Sequence, residues 1–176
     1  TAKPHSALAI RTAIEEFEGK AKGGEWPSWA FSNHDTIRAT SRWTGEYAED
    51  ARVSKMLIAL LTSLRGTAFV YQGEELGLPE TRLAFEDIQD PWGKYLYPKW
   101  QGRDGCRTPL PWAADAVNTG FSQGKPWLPM PENHKALAVD LQQSDPNSTL
   151  TFTSKFLNWR KKQDALVVGD IAFEET

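Results

Sequence analysis

The sequence is poor in the features that would place it quickly. Cys106 is its one cysteine in 176 residues, so no disulfide can close within the chain and bridges say nothing of compartment. Long apolar runs are missing: none approaches the roughly 18 residues of a membrane span, and no membrane partner is expected. An excess of one charge is missing too. The net charge is -3, with both signs interspersed, which excludes a basic nucleic-acid surface and a polybasic patch. Three scattered histidines do not make a metal ligand set, and neither a metal nor a cofactor is expected. The first residues lack the charged-then-apolar pattern of a secretory leader. A cytoplasmic protein is therefore the expectation. Thr1 rather than Met stands first, which hints at a piece of something longer. What is present is a globular composition, 40% hydrophobic, at the length of one ordinary domain.

Apolar periodicity predicts a helix from about His5 to Lys20, carried by Ala7, Ile10, Ile14 and Phe17 and ended by Gly19 and Gly23-Gly24. A short buried strand is expected over Trp29–Ser32. The clearest helix follows, with Val53, Met56, Leu57, Leu60, Leu61 and Leu64 on one face, an acidic start at Glu49 or Asp50, and Gly66 beyond its end. A second buried strand, Thr67 to Tyr71, comes at once. Helix, short turn and strand make the rhythm of an α/β unit with parallel strands. From Gln72 to about Ser144 no periodic run appears, and prolines fall at 79, 91, 98, 109, 111, 126, 129 and 131. A loop of about 70 residues is far beyond ordinary connections, so short helices and a functional role are expected inside it. Helical character returns from about Asn147 to Ala165. Residues Val167 to Thr176 read as the first strand of a further unit. Two parallel strands cannot form a buried sheet alone, which is a second and stronger hint of a fragment.

The stretch "FSNHDTIR", Phe31 to Arg38, ends the first strand on adjacent His34 and Asp35. On the residues alone this is either a turn with an Asp helix cap or a site at the strand end. Together with "YQGEELGLPE", Tyr71 to Glu80, and "GRDGCRTPLPW", Gly102 to Trp112, it resembles the α-amylase superfamily (glycoside hydrolase family 13). "FLNWRKKQDALVVGD" is similar to the α-glucosidase and oligo-1,6-glucosidase branch. Order and spacing match over nearly the whole chain. One departure is Ala68, where many relatives have proline.

The resemblance implies an α/β fold, the C-terminal part of a (β/α)8 TIM barrel with its last two strands and their helices. A whole barrel takes about 250 residues, so it would be incomplete here. Residues 1–166 would be the last quarter of the catalytic domain, with the remainder of its own barrel as partner, and 167–176 the start of a C-terminal β-domain. The implied activity is that of a retaining exo-acting α-glucosidase on maltose-like disaccharides and short oligosaccharides. Two rivals stand beside it: a transglycosylase or isomerase such as a trehalose or isomaltulose synthase, and a non-catalytic, protein-binding relative. Asp35 would be the third carboxylate of the site, a transition-state stabiliser rather than nucleophile or acid/base. His34, Arg38 and Arg103 would bind substrate, the arginines through forked donors. The nucleophile and acid/base would lie outside this chain, which has no Gly-Phe-Arg-x-Asp stretch.

Other residues have plainer readings. Glu74 and Glu75 are adjacent and point apart, so they are read as fixing their loop rather than flanking one bond. Arg103 and Asp104 could pair to brace the long loop. Of eight tryptophans, Trp92 or Trp100 is the better guess for a sugar-stacking wall. Cys106 reads as a buried small residue.

Overall fold

The computed structural model describes residues 6–21, 25–44 and 50–174. Helix α1 spans Ala7–Glu18; Ser6 caps it by accepting the Ala9 N–H at 3.1 Å. Strand β1 is Ser28–Ala30, followed by helices α2, Ala39–Thr44, and α3, Ala51–Ser63. Strand β2, Thr67–Phe69, pairs with β1 in parallel, Trp29 beside Ala68. The long segment then holds three single-turn 3-10 helices and helices α4, Pro91–Leu96, α5, Glu132–Lys135, and α6, Val139–Ser144. Helices α7, Thr149–Arg160, and α8, Asp164–Val168, close the order. No helix among the described residues is long and apolar enough to cross a membrane.

Helix α3 forms where its periodicity predicts, and Asp50 is its N-cap, accepting from the main chain of Arg52 and Val53. Its buried stripe is turned from the expected one. Ser54, Leu57, Ile58, Leu61 and Thr62 face inward, while Met56 is 49% exposed. The two hydroxyls can be buried because each is satisfied: Thr62 donates to the Ile58 carbonyl at 2.7 Å, and Ser54 meets Thr40 at 3.1 Å. Helix α7 packs on α3, and Arg160 donates to the Thr62 carbonyl.

The tail differs from the expected strand. Val167 lies in α8 and donates to the Gln163 carbonyl, and 169–174 has no regular structure. A strand needs a neighbour for its main-chain groups, and among the described residues none lies beside this one. Residues 175–176, the end of that expectation, lie outside the described residues, as does the Gly23-Gly24 stop.

Gly66 sets the approach of the strands. Its φ of 121° is open only to glycine, and a Cβ there would sit 2.4 Å from the Pro27 carbonyl oxygen. Because β1 and β2 run in parallel, the loops that leave them, Phe31 onward and Val70 onward, leave from the same edge.

Candidate active site

Asn33 turns the chain after β1. Its side-chain oxygen accepts the Asp35 N–H at 2.8 Å and faces the Thr36 hydroxyl at 3.3 Å. This local turn presents His34 and Asp35 outward, their side chains 70% and 50% exposed. Asp35 does not cap the following helix. The Ser32 hydroxyl takes the Ala39 N–H at 2.9 Å, and Glu80 takes that of Arg38 at 2.9 Å.

Two arginines hold Asp35. Arg103 Nη1 and Arg107 Nη2 each donate to its Oδ1 at 3.1 Å, while Oδ2 lies 3.4 Å from His34 Nε2. Arg107 Nε also donates to the His34 carbonyl at 2.7 Å. The plainer alternative, Arg103 paired with its neighbour Asp104, does not form; Arg103 makes a forked bridge to Asp90 instead, at 2.8 and 3.0 Å. Asp104 instead accepts the main-chain N–H groups of Gln89 and Asp90. Adjacent side chains cannot easily fold back on each other, whereas Asp90 lies across the loop. The Arg103 hydrogen bonds hold the Asp90 carboxyl down at about 2.

His34, Asp35 and Arg103 are thus brought together. Arg38 is not brought to the exposed side with them. It is 1% exposed, with Nη1 on the Gln72 carbonyl at 2.7 Å and Nη2 on the Cys106 carbonyl at 3.0 Å. Its guanidinium lies 5.5 Å over the Tyr71 ring. The Cys106 carbonyl also accepts from Tyr71 Oη at 3.2 Å, so one oxygen ties the loop after β1, the loop after β2 and the long segment. Burial pushes the Cys106 thiol up to about 11, which fits a packed rather than a reactive side chain.

Glu74 accepts the Tyr71 N–H and Glu75 the Gly73 N–H, both at 2.8 Å. Both carboxyls are raised by burial, and both fasten their own turn. Neither Trp92 nor Trp100 lines the cavity beside Arg107. That cavity, about 210 Å³, is walled by Gln72, Leu110, Phe121 and Trp127 among others. Among the described residues no cluster of His, Cys, Asp and Glu could hold a metal.

Reading the sequence missed Asp90, Arg107 and Glu80. Asp90 carried one local signal: Asp before Pro91 is a helix start, and Asp90 does cap α4 by accepting the Trp92 N–H at 3.2 Å. Arg107 stands in the same stretch as Arg103, with nothing local to show that both face Asp35.

The probable alpha-glucosidase of Rhizobium meliloti (strain 1021) is 45% identical over 167 residues, 95% of this chain and 30% of that protein. The oligo-1,6-glucosidase of Parageobacillus thermoglucosidasius is 31% identical over 98% of this chain and 34% of its own. Among solved structures, the alpha-glucosyl transfer enzyme XgtA superposes with a TM-score of 0.90 at 48% identity, covering 98% of this chain and 32% of that one. The trehalulose synthase MutB from Pseudomonas mesoacidophila MX-45 gives 0.83 at 27% identity, over 95% and 33%. This chain thus spans about a third of the length of these relatives. The family described as "Alpha amylase, catalytic domain" matches residues 2–169, and the chain belongs to the alpha-amylase family.

Proposed function

We propose that this segment is the last quarter of a (β/α)8 catalytic barrel. It supplies one wall of the cleavage site of a retaining exo-acting α-glucosidase. The observation that carries the reading is Asp35: a half-exposed carboxylate at the C-terminal edge of two parallel strands, fixed through one oxygen by two arginines. In barrels of this kind the chemistry sits at that edge. Glycoside cleavage passes through an oxocarbenium-like state, and a carboxylate aimed at the ring stabilises the charge that develops there. His34 contacts the same sugar, and Arg103, whose three guanidinium nitrogens are engaged by Asp90 and Asp35, acts on it through Asp35. Arg38 acts from beneath, holding the Gln72 and Cys106 carbonyls that shape the floor. The rest of the barrel supplies the nucleophile and the acid/base. Substrates are maltose-like disaccharides and short α-glucosides.

Replacing Asp35 by Asn in the complete protein keeps size and hydrogen bonding but removes the charge. The expected loss is about 10²–10³ in kcat, since the contact strengthens in the transition state. Steady-state rates on maltose, with circular dichroism to check folding, decide it. Retention of more than about a tenth of the parental kcat leaves Asp35 a strand-end residue only.

A second reading, glucosyl transfer rather than hydrolysis, is favoured by the 48% identity to the alpha-glucosyl transfer enzyme XgtA. Product analysis on maltose separates the two: free glucose alone for hydrolysis, longer or rearranged glucosides for transfer.

A further inference from the structure

We infer that Asp90 is a positioning residue for Asp35, acting through Arg103. The inference rests on the reading of Asp35 as the transition-state stabiliser. A guanidinium is a flat fork with three nitrogens, so fixing one edge fixes where the third nitrogen points. Asp90 takes that edge: its Oδ2 accepts from Arg103 Nε at 2.8 Å and its Oδ1 from Nη2 at 3.0 Å. Nη1 is left to reach Asp35 Oδ1 at 3.1 Å.

The base of this arm is rigid. Asp90 is 3% exposed, caps α4, and accepts the Arg103 main-chain N–H at 2.9 Å. Its own N–H is held by Asp104 at 2.7 Å. Asp90 therefore binds both ends of Arg103, main chain and fork. Arg107, the other donor to Asp35, is held separately through the His34 carbonyl. Loss of Asp90 leaves Asp35 with one oriented donor and lets Arg103 swing on its long stem. Asp90 stands behind Arg103 and Asp35, so its effect falls on alignment, and alignment lost by about 1 Å costs about 100-fold.

The test is a double-mutant cycle in the complete enzyme, read as kcat and KM on maltose. Asp90→Asn alone is expected to lower kcat about 10- to 100-fold with KM changed far less. In an Asp35→Asn background the same change is expected to cost no more than about 2-fold, because the group it aligns has lost its charge. Arg103→Lys, which keeps the charge but not the fork, is expected to give the same pattern and carries the test if Asp90→Asn does not fold. An equal loss in both backgrounds overturns the inference and makes Asp90 a structural cap. If Asp35→Asn itself leaves kcat unchanged, the reading of Asp35 falls, and this inference with it. A large Asp35→Asn loss with no loss from Asp90→Asn overturns the inference alone.

Discussion

Two buried groups beneath the site are expected to hide each other's pH dependence. Glu80 is 4% exposed, and burial pushes its carboxyl up to about 7 from 4.5 although Arg38 is close. His134 is 0% exposed, and burial pushes its imidazole down to about 4 from 6.5. The two meet around one strip of chain. Glu80 receives the Arg38 N–H, and His134 Nε2 lies 3.0 Å from the carbonyl of Pro79. The signs oppose. Glu80 binds its proton more tightly when folded, so its contribution is full below pH 4.5 and is lost as pH rises through 7. His134 binds its proton less tightly when folded, so its contribution is full above pH 6.5 and is lost as pH falls through 4. One proton of difference is worth about 1.4 kcal/mol per pH unit. Integrated from pH 4.5 to 6.5, with the slope tailing at both ends, each group moves stability by about 2 kcal/mol, in opposite directions. Glu80→Gln and His134→Gln each leave one slope uncovered. Relative to the parent, Glu80→Gln should gain about 2 kcal/mol across that window and His134→Gln should lose about as much. Denaturation midpoints of the three proteins at several pH values give the two difference curves, in which all other titrating groups cancel. Flat difference curves refute the assignment of both groups as neutral in the fold.

Gly105→Ala would set a Cβ 2.2 Å from Glu80 Oε1 and 2.5 Å from the Thr81 carbonyl oxygen. It should cost about 1–3 kcal/mol in thermal unfolding and lower kcat, because Arg103 and Arg107 flank it; an unchanged Tm and kcat would count against the packing described here. Leu61→Ala, at a 0% exposed position between α3 and its neighbours, should cost about 2–5 kcal/mol in denaturant titration without changing KM.

Much of the fold was legible because it is local. Helix α3 announces itself through its apolar period and its Asp50 cap, and Gly66 marks the tight entry to β2. Helix α2 was not read at all. The N–H of its first residue, Ala39, is met by Ser32, and that of Arg38 just before it by Glu80, 42 residues away, so its start leaves no local mark. The same difference divides the site. His34 and Asp35 are displayed by Asn33, a neighbour. Arg103 is aimed by Asp90 and Arg107 anchored on His34, partners 13 and 73 residues off. The sequence also shows that Arg38 carries a forked donor but not that its fork meets two buried carbonyls. Burial and direction are properties of packing, and no spacing rule contains them.

The length of the segment after β2 then has a physical reason. Strands of three residues offer few ladder bonds, and the loops that leave them could not hold a carboxylate still by themselves. The long segment folds back over both loops and fastens them with strong, directed groups. Arg103 and Arg107 fix Asp35, and the Cys106 carbonyl gathers Arg38, Tyr71 and Gln72. Hydrogen bonds to charged groups are worth roughly twice the neutral kind, so a few of them supply rigidity where regular structure is thin. Arg103, Cys106 and Arg107 all come from one tight turn around Gly105, which lies against Glu80 and Thr81 of the loop after β2. That turn therefore couples the two strand-end loops, and what displaces it should disturb the hold on Asp35 and the floor beneath it together.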